Sequence, residues 1–241
     1  MGFRPTQEGS VSDLEGSLAS LSDRIIACRR CPRLVAWREA VAEKKKRAYQ
    51  DWDYWGKPVP GFGDPHARIF VVGLAPGAHG ANRTGRNFTG DASGEFLYAA
   101  LHRAGFANQP WSHHREDGLQ LNDLYIAAAV RCAPPDNKPT PQEIAACRPY
   151  LEEEIGLMLP HLQGFVALGR IAFDWLLAWY RQRGVSSHLL VFQHAAFYQP
   201  DVNLPWILAS YHPSRQNTQT GRLTPAMFDR VWEMARSTLQ S

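Results

Sequence analysis

The chain has 241 residues, 44% of them hydrophobic, and a formal net charge of +3. That length suits one domain with a substantial core, and the mild positive balance permits a polyanionic partner without demanding one. No apolar run approaches membrane-spanning length, and residues 1–10 lack the hydrophobic stretch of a signal peptide, so a soluble cytoplasmic protein is expected.

Residues 1–10 read as loose. Leu14, Leu18, Leu21 and Ile25 recur every three or four positions, which predicts an amphipathic helix ending near Cys28, in an N-terminal helical region over 11–43 that carries into the cysteines. Lys44-Lys45-Lys46-Arg47 reads as a solvated face, or else as a phosphate contact. Residues 52–66, rich in glycine, proline and aromatics, read as a structured loop. The run at 68–73 is nearly all apolar, as expected of a strand buried on both faces. A helix over 93–104 follows, with Asp91 or Ser93 able to cap it.

A second strand is expected at 124–130. Thr140-Pro141-Gln142-Glu143 is a strong helix start, and that helix carries Cys147 to about residue 159. Strand 165–168, a helix through Tyr180, an extra strand at 189–192, a last main strand at 206–209 and a closing helix from Thr224-Pro225 complete the chain. The closing helix places Phe228, Val231, Trp232 and Ala235 on one face. Strands alternating with helices predict a single α/β domain over 1–241, with a mainly parallel sheet covered on both sides. Ligands then bind beyond the carboxyl ends of the strands, where loops 74–91, 131–140 and 211–223 converge.

The chain has four cysteines, Cys28, Cys31, Cys132 and Cys147. The C-x2-C pair aims two thiolates at one centre, and thiolates are ligands for soft metals. Two disulfides would need an oxidising compartment, of which the sequence gives no sign. The spacing admits structural zinc or a 4Fe–4S cluster and does not choose between them.

In the first loop Gly73, Leu74, Ala75 and Gly77 allow close backbone approach to a ligand, Arg83 and Arg86 suit phosphate, and Phe88 offers a stacking surface. The third loop sets His212 just past a buried strand, followed by Ser214, Arg215, Gln216, Asn217 and Arg222. The middle loop carries Cys132 and Asn137, which ties the thiols to the same rim.

Taken in order, the segments WGKPVPGFGDP (55–65), GLAPGAHGANRTGRNFTGD (73–91), RCAPPDNKPTP (131–141) and SYHPSRQNTQTGRLT (210–224) resemble the uracil-DNA glycosylase superfamily. The resemblance is to its iron–sulfur members, and within those to the broad-specificity family 5 (type b). It implies a three-layer α/β/α fold around a mainly parallel four-stranded sheet, a monomer, and a structural 4Fe–4S cluster on the four cysteines. The implied activity is excision of uracil and other deaminated bases from double-stranded and single-stranded DNA, leaving an abasic site.

By the same resemblance Phe88 stacks on the flipped base and His212 donates to the carbonyl that gains charge as the base departs. Backbone near Leu74–Gly77 contacts the base or the water, and the loop after His212 presses into the DNA. Arg83, Arg86, Arg215 and Arg222 are implied phosphate anchors. The sequence departs from stricter uracil enzymes in having Leu74 and Ala75 where they carry a polar or acidic group, and Ala128 where they carry asparagine. A pocket without those groups is expected to accept several damaged bases. Asp91 and Asn137 are the candidates for activating water, with helix cap and turn residue as their respective alternatives.

Overall fold

The computed structural model describes residues 11–239; the loose segment expected at 1–10 lies outside them. The sheet has six strands: β1 (Phe62–Gly63), β2 (Ile69–Gly73), β3 (Leu124–Ala128), β4 (Gly164–Leu168), β5 (Phe197–Tyr198) and β6 (Trp206–Ser210), in the order β1-β3-β2-β4-β6-β5. Strands β3, β2, β4 and β6 are parallel, and every residue in them is buried. The expected four-stranded parallel core is therefore present. Two antiparallel strands of two residues each, β1 and β5, close its edges.

Successive side chains of a strand point to opposite faces, and the two faces support separate cores. Phe70, Val72, Phe165, Ala167, Ile207 and Ala209 face a layer containing α5 (Pro141–Met158) and α6 (Arg170–Gln182). Ile69, Val71, Val166, Leu168 and Leu208 face α4 (Ala92–Arg103) and α8 (Pro225–Thr238). Phe228, Val231, Trp232 and Ala235 are all buried on α8, as its periodicity predicts.

Two expectations need correction. The N-terminal helical region is two helices, α1 (Val11–Ile26) and α2 (Pro32–Lys44), with Cys28 and Cys31 at the break between them. Cys31 is the N-cap of α2 and Pro32 its first residue, a position where proline's missing N–H costs nothing. Residues 189–192 form no strand, and Leu189 and Val191 are exposed. The edge strand is instead Phe197–Tyr198, paired with β6. The apolar run misled because Leu190 and Phe192 pack on the core from an irregular segment.

After β2 the chain adds β3 on one side, then crosses to lay β4 on the other. The loops leaving β2 and β4 therefore part in opposite directions and leave a crevice at their carboxyl ends.

Candidate active site at the carboxyl ends of the sheet

Phe88 and His212 meet at this crevice, their ring centroids 5.7 Å apart with planes inclined at 33°. His212 sits two residues beyond β6, beside Gly169 at the end of β4, where an added Cβ would lie 3.3 Å from the His212 Cβ. Its backbone carbonyl accepts a hydrogen bond from Asn217 Nδ2 at 2.9 Å. Among the described residues no protein group binds either imidazole nitrogen. Burial lowers its pKa to about 4, so near neutrality the ring is uncharged, with one N–H to donate.

Phe88 occupies the left-handed region, at φ +52°, which is strained for a bulky residue. The strain is held by its surroundings. Tyr98 Oη donates to the Asn87 carbonyl at 2.8 Å, and Asn87 Nδ2 donates to the Pro60 carbonyl at 2.8 Å. Gly94 lies so close beneath that a Cβ there would overlap the Phe88 carbonyl, and one on Gly73 would come within 3.1 Å of the ring tip.

Asp91 is the N-cap of α4, its Oδ1 accepting the Gly94 amide at 3.0 Å. A Cβ on Gly77 would lie 3.0 Å from its Oδ2, and one on Gly80 would overlap the carboxylate. Burial raises its pKa, against the Gly94 and Ser93 amides, which lower it. The capping role is thus present, and the second oxygen lies against the Gly77–Gly80 turn.

Several expected contacts fall elsewhere. Arg83 is buried, sandwiched between Tyr49 (3.9 Å) and Trp52 (4.0 Å), and donates to the His79 and Gly90 carbonyls. Arg86 is buried in an ion pair with Asp117 at 2.8 Å, and donates to Thr89 Oγ1 and Ser112 Oγ at 2.9 Å. Both guanidinium groups are buried, Arg86 in an ion pair and Arg83 against two rings with Nη1 left unpaired, and neither is a surface phosphate anchor; runs of arginine among glycines look alike whether they face inward or outward. Asn137 is exposed in a short 3₁₀ turn at φ +56°, which fits the turn reading. Arg215 and Gln216 are exposed on α7 (Arg215–Gln219), Ser214 caps that helix through the Asn217 amide, and exposed Arg222 stacks on Tyr211 at 4.7 Å.

Sequence reasoning missed Asp117 and Ser112, which fasten the Phe88 loop from a segment without obvious pattern. It also missed His194, whose Nδ1 accepts the Tyr211 amide at 3.2 Å while its ring stacks on Tyr211. Gly169 was findable: a glycine directly after a buried strand, at φ +100°, signals a close approach.

The four thiols are free and line one recess with Leu34, Val35, Tyr150 and Arg131. Arg38, buried, donates from Nη1 to Cys132 Sγ at 3.0 Å and from Nη2 to the Cys28 carbonyl at 3.2 Å. The Arg131 amide donates to Cys147 Sγ at 3.2 Å. Burial pushes the Cys132 thiol up to about 12 and raises Cys31 and Cys147 as well. Among the described residues no group of three or more His, Cys, Asp or Glu side chains is arranged to hold a metal ion. Four soft donors, with one guanidinium and one backbone amide directed at their sulfurs, nonetheless fit an anionic thiolate-bound group. The recess adjoins the crevice, because Val130 N–H donates to the Leu74 carbonyl and Ala129 N–H to that of Gly73, each at 2.9 Å.

The arrangement is that of an α/β protein with two facing aromatic rings in the crevice at its topological switch point. Comparison with known proteins narrows the class: the Uracil DNA glycosylase superfamily matches residues 60–236, and the chain belongs to that family. It is 59% identical over 204 residues to a type-5 uracil-DNA glycosylase of Thermus thermophilus, covering 85% of this chain and 90% of the relative. It is 51% identical over 222 residues to one of Mycobacterium leprae, covering 92% and 95%. A third, of Pyrobaculum aerophilum, is 46% identical over 204 residues, with 84% of each chain covered.

Proposed function

We propose that the protein is a DNA-repair glycosylase that hydrolyses the bond between uracil and deoxyribose and leaves an abasic site. Membership of the family and the type-5 relatives support this reading. The observation that carries it is the Phe88–His212 pair over the sheet's carboxyl ends, 5.7 Å apart. A base must leave the duplex stack to be cut. The phenyl ring offers a stacking face, worth about 1–3 kcal/mol per base.

As the glycosidic bond lengthens, charge passes to the base and the sugar becomes oxocarbenium-like. The uncharged His212 imidazole donates a hydrogen bond to the carbonyl oxygen that gains this charge. Water adds to the sugar carbon, and its proton is lost to a base. Asp91 Oδ2 is the carboxylate of the crevice best placed to accept it. Leu74, Ala75 and Ala128 present no polar side chain to the crevice, so few groups are left unpaired by a wrong base. The substrate range therefore extends to hypoxanthine, and to uracil and thymine opposite guanine.

Cys28, Cys31, Cys132 and Cys147 are the residues that would hold a 4Fe–4S cluster, which would pin the α1–α2 break to the segment after β3 and to α5. The enzyme acts as a soluble monomer; among the described residues no helix is long and apolar enough to cross a membrane.

The test uses purified protein and labelled duplexes, with the single strand alongside, carrying uracil, hypoxanthine or neither, followed by alkali. Breaks at uracil and hypoxanthine, with iron bound to the protein, are expected. Intact uracil strands would overturn the activity, intact hypoxanthine strands the broad range, and zinc in place of iron the cluster.

A further inference from the structure

With Arg83 and Arg86 buried, the Phe88 loop itself offers little free positive charge. Two other segments supply it. Residues 46–57 dock on this loop through the Trp55 amide to the Arg83 carbonyl (2.9 Å) and the Gly56 amide to the Asn82 carbonyl (3.0 Å). Residues 111–117 dock from the other side, through the Gly90 amide to the Ser112 carbonyl (2.8 Å) and Arg86 Nη1 to the Arg115 carbonyl (3.1 Å).

The segments meet at Trp55. Its indole packs on Gly85, where a Cβ would lie 2.8 Å from the ring. The same ring carries two cations, Lys57 Nζ at 5.4 Å and the Arg115 guanidinium at 4.6 Å from its centroid. Exposed Lys46 and Arg47 precede them, and the Lys46 charge helps lower the pKa of His79 in the loop after β2, behind the larger effect of burial. Asp51, Asp53 and Glu116 are exposed in the same segments. Among the described residues none of these acids comes within ion-pair distance of Lys46, Arg47, Lys57 or Arg115.

We infer that Lys57 and Arg115, gathered on Trp55, bind the phosphates of the DNA strand flanking the everted base, with Lys46 and Arg47 extending the track. Two like charges on one aromatic ring, neither within ion-pair distance of a carboxylate among the described residues, repel each other, although Asp23 and Glu39 line the recess beside Lys57, and an anion relieves that repulsion. Trp55 packs on Gly85, three positions before Phe88, so the two cations stand on the loop that carries the stacking ring. Phosphate contacts fix register and carry no sequence information, so the surface serves any damaged base. The inference rests on the glycosylase reading for its choice of DNA as the polyanion.

Each phosphate neutralised on duplex DNA contributes about 0.9 to the slope of log affinity against log salt. The experiment measures anisotropy of a labelled duplex without uracil across a salt series, with uracil excision by the wild type followed in parallel. Lys57→Gln with Arg115→Gln should flatten the slope by about 1.8, so that the wild type loses about tenfold more affinity than the variant between 50 and 200 mM salt. Arg115→Lys, keeping the charge, should retain most of the slope. Arg230→Gln, removing an exposed cation on α8 whose nearest carboxylate is Glu233 at 3.9 Å, should leave it unchanged. An unaltered slope in the double variant, or an equal loss in Arg230→Gln, would overturn the surface. Excision with an unaltered slope removes the surface and keeps the enzyme; a flattened slope without excision removes the enzyme and keeps a DNA-binding surface.

Discussion

At the scale of single residues, His212 has to remain uncharged and close to a departing base, and burial secures the first condition. Its pKa falls from 6.5 in solution to about 4 in the fold. Between those values the unfolded chain binds the proton more readily than the folded one, so this contribution to stability is present above the higher value and is lost as pH falls toward the lower. Urea midpoints measured near neutrality and near pH 5 should therefore fall less for His212→Gln than for the wild type. The same substitution should slow excision by ~10²–10³ if the neutral donor stabilises the leaving base, while affinity for DNA changes little. Asp91 can be divided in the same way. Asparagine is as good an N-cap as aspartate, whereas alanine loses the cap and costs about 0.5–2 kcal/mol. Asp91→Asn should keep the denaturation midpoint and lose excision; full activity in Asp91→Asn would reduce the residue to its cap.

Among elements, the loop between β2 and α4 depends on Arg86 and Asp117. Both side chains are nearly closed to solvent, and Asp117 also accepts the His113 and Leu119 amides at 2.8 and 3.1 Å. Burial pushes the Asp117 carboxyl up, but the Arg86 contact and these amides outweigh it and hold its pKa below the usual range. Removing one partner of a buried pair leaves the other uncompensated and costs about 3–5 kcal/mol. Asp117→Asn should lower the thermal midpoint and release Phe88 from its left-handed backbone, which amide exchange at Gly90 would register.

The four parallel strands, the Thr140 capping box and the buried face of α8 were legible in the sequence because their patterns are local. The inward turn of Arg83 and Arg86 was not. It depends on Tyr49, Trp52 and Asp117, which lie some thirty positions away on either side, and no periodicity connects them. The spurious strand at 189–192 and the unforeseen φ of Phe88 have the same origin, tertiary packing overriding a local signal.

For the molecule as a whole, the thiol recess joins parts of the chain far apart in sequence: the α1–α2 break, the segment after β3, and α5. Leu21, Ile25, Leu34, Val130 and Tyr150 form a small apolar cluster around it, separate from the two cores that flank the sheet. Leu14 and Leu18 tie α1 to the core beside α5, but the α1–α2 break rests on this small cluster, so a bound group would contribute disproportionately there. Cys147→Ser should lower iron per chain and the thermal midpoint together, with proteolysis beginning at the α1–α2 break. Unchanged iron content would remove Cys147 from the ligand set. The position of the segment before β1 was legible only in part. Residues 52–66 read as a structured loop, but their docking on Arg83 and Asn82 depends on backbone hydrogen bonds that no residue type announces.

The spacing between the Phe88 and His212 rings has one more bearing. A flat ring held between two others needs about 7 Å, twice the ~3.5 Å carbon contact distance, and here the centroids stand 5.7 Å apart. There is no room for a base to be sandwiched between them, so a nucleobase stacks on one face of the phenyl with the imidazole at its edge. An intact strand brings the binding energy of its backbone to that task, whereas a released base has only its own small surface. Free uracil added to the assay should therefore inhibit excision only weakly, which initial rates measured with and without the free base would check.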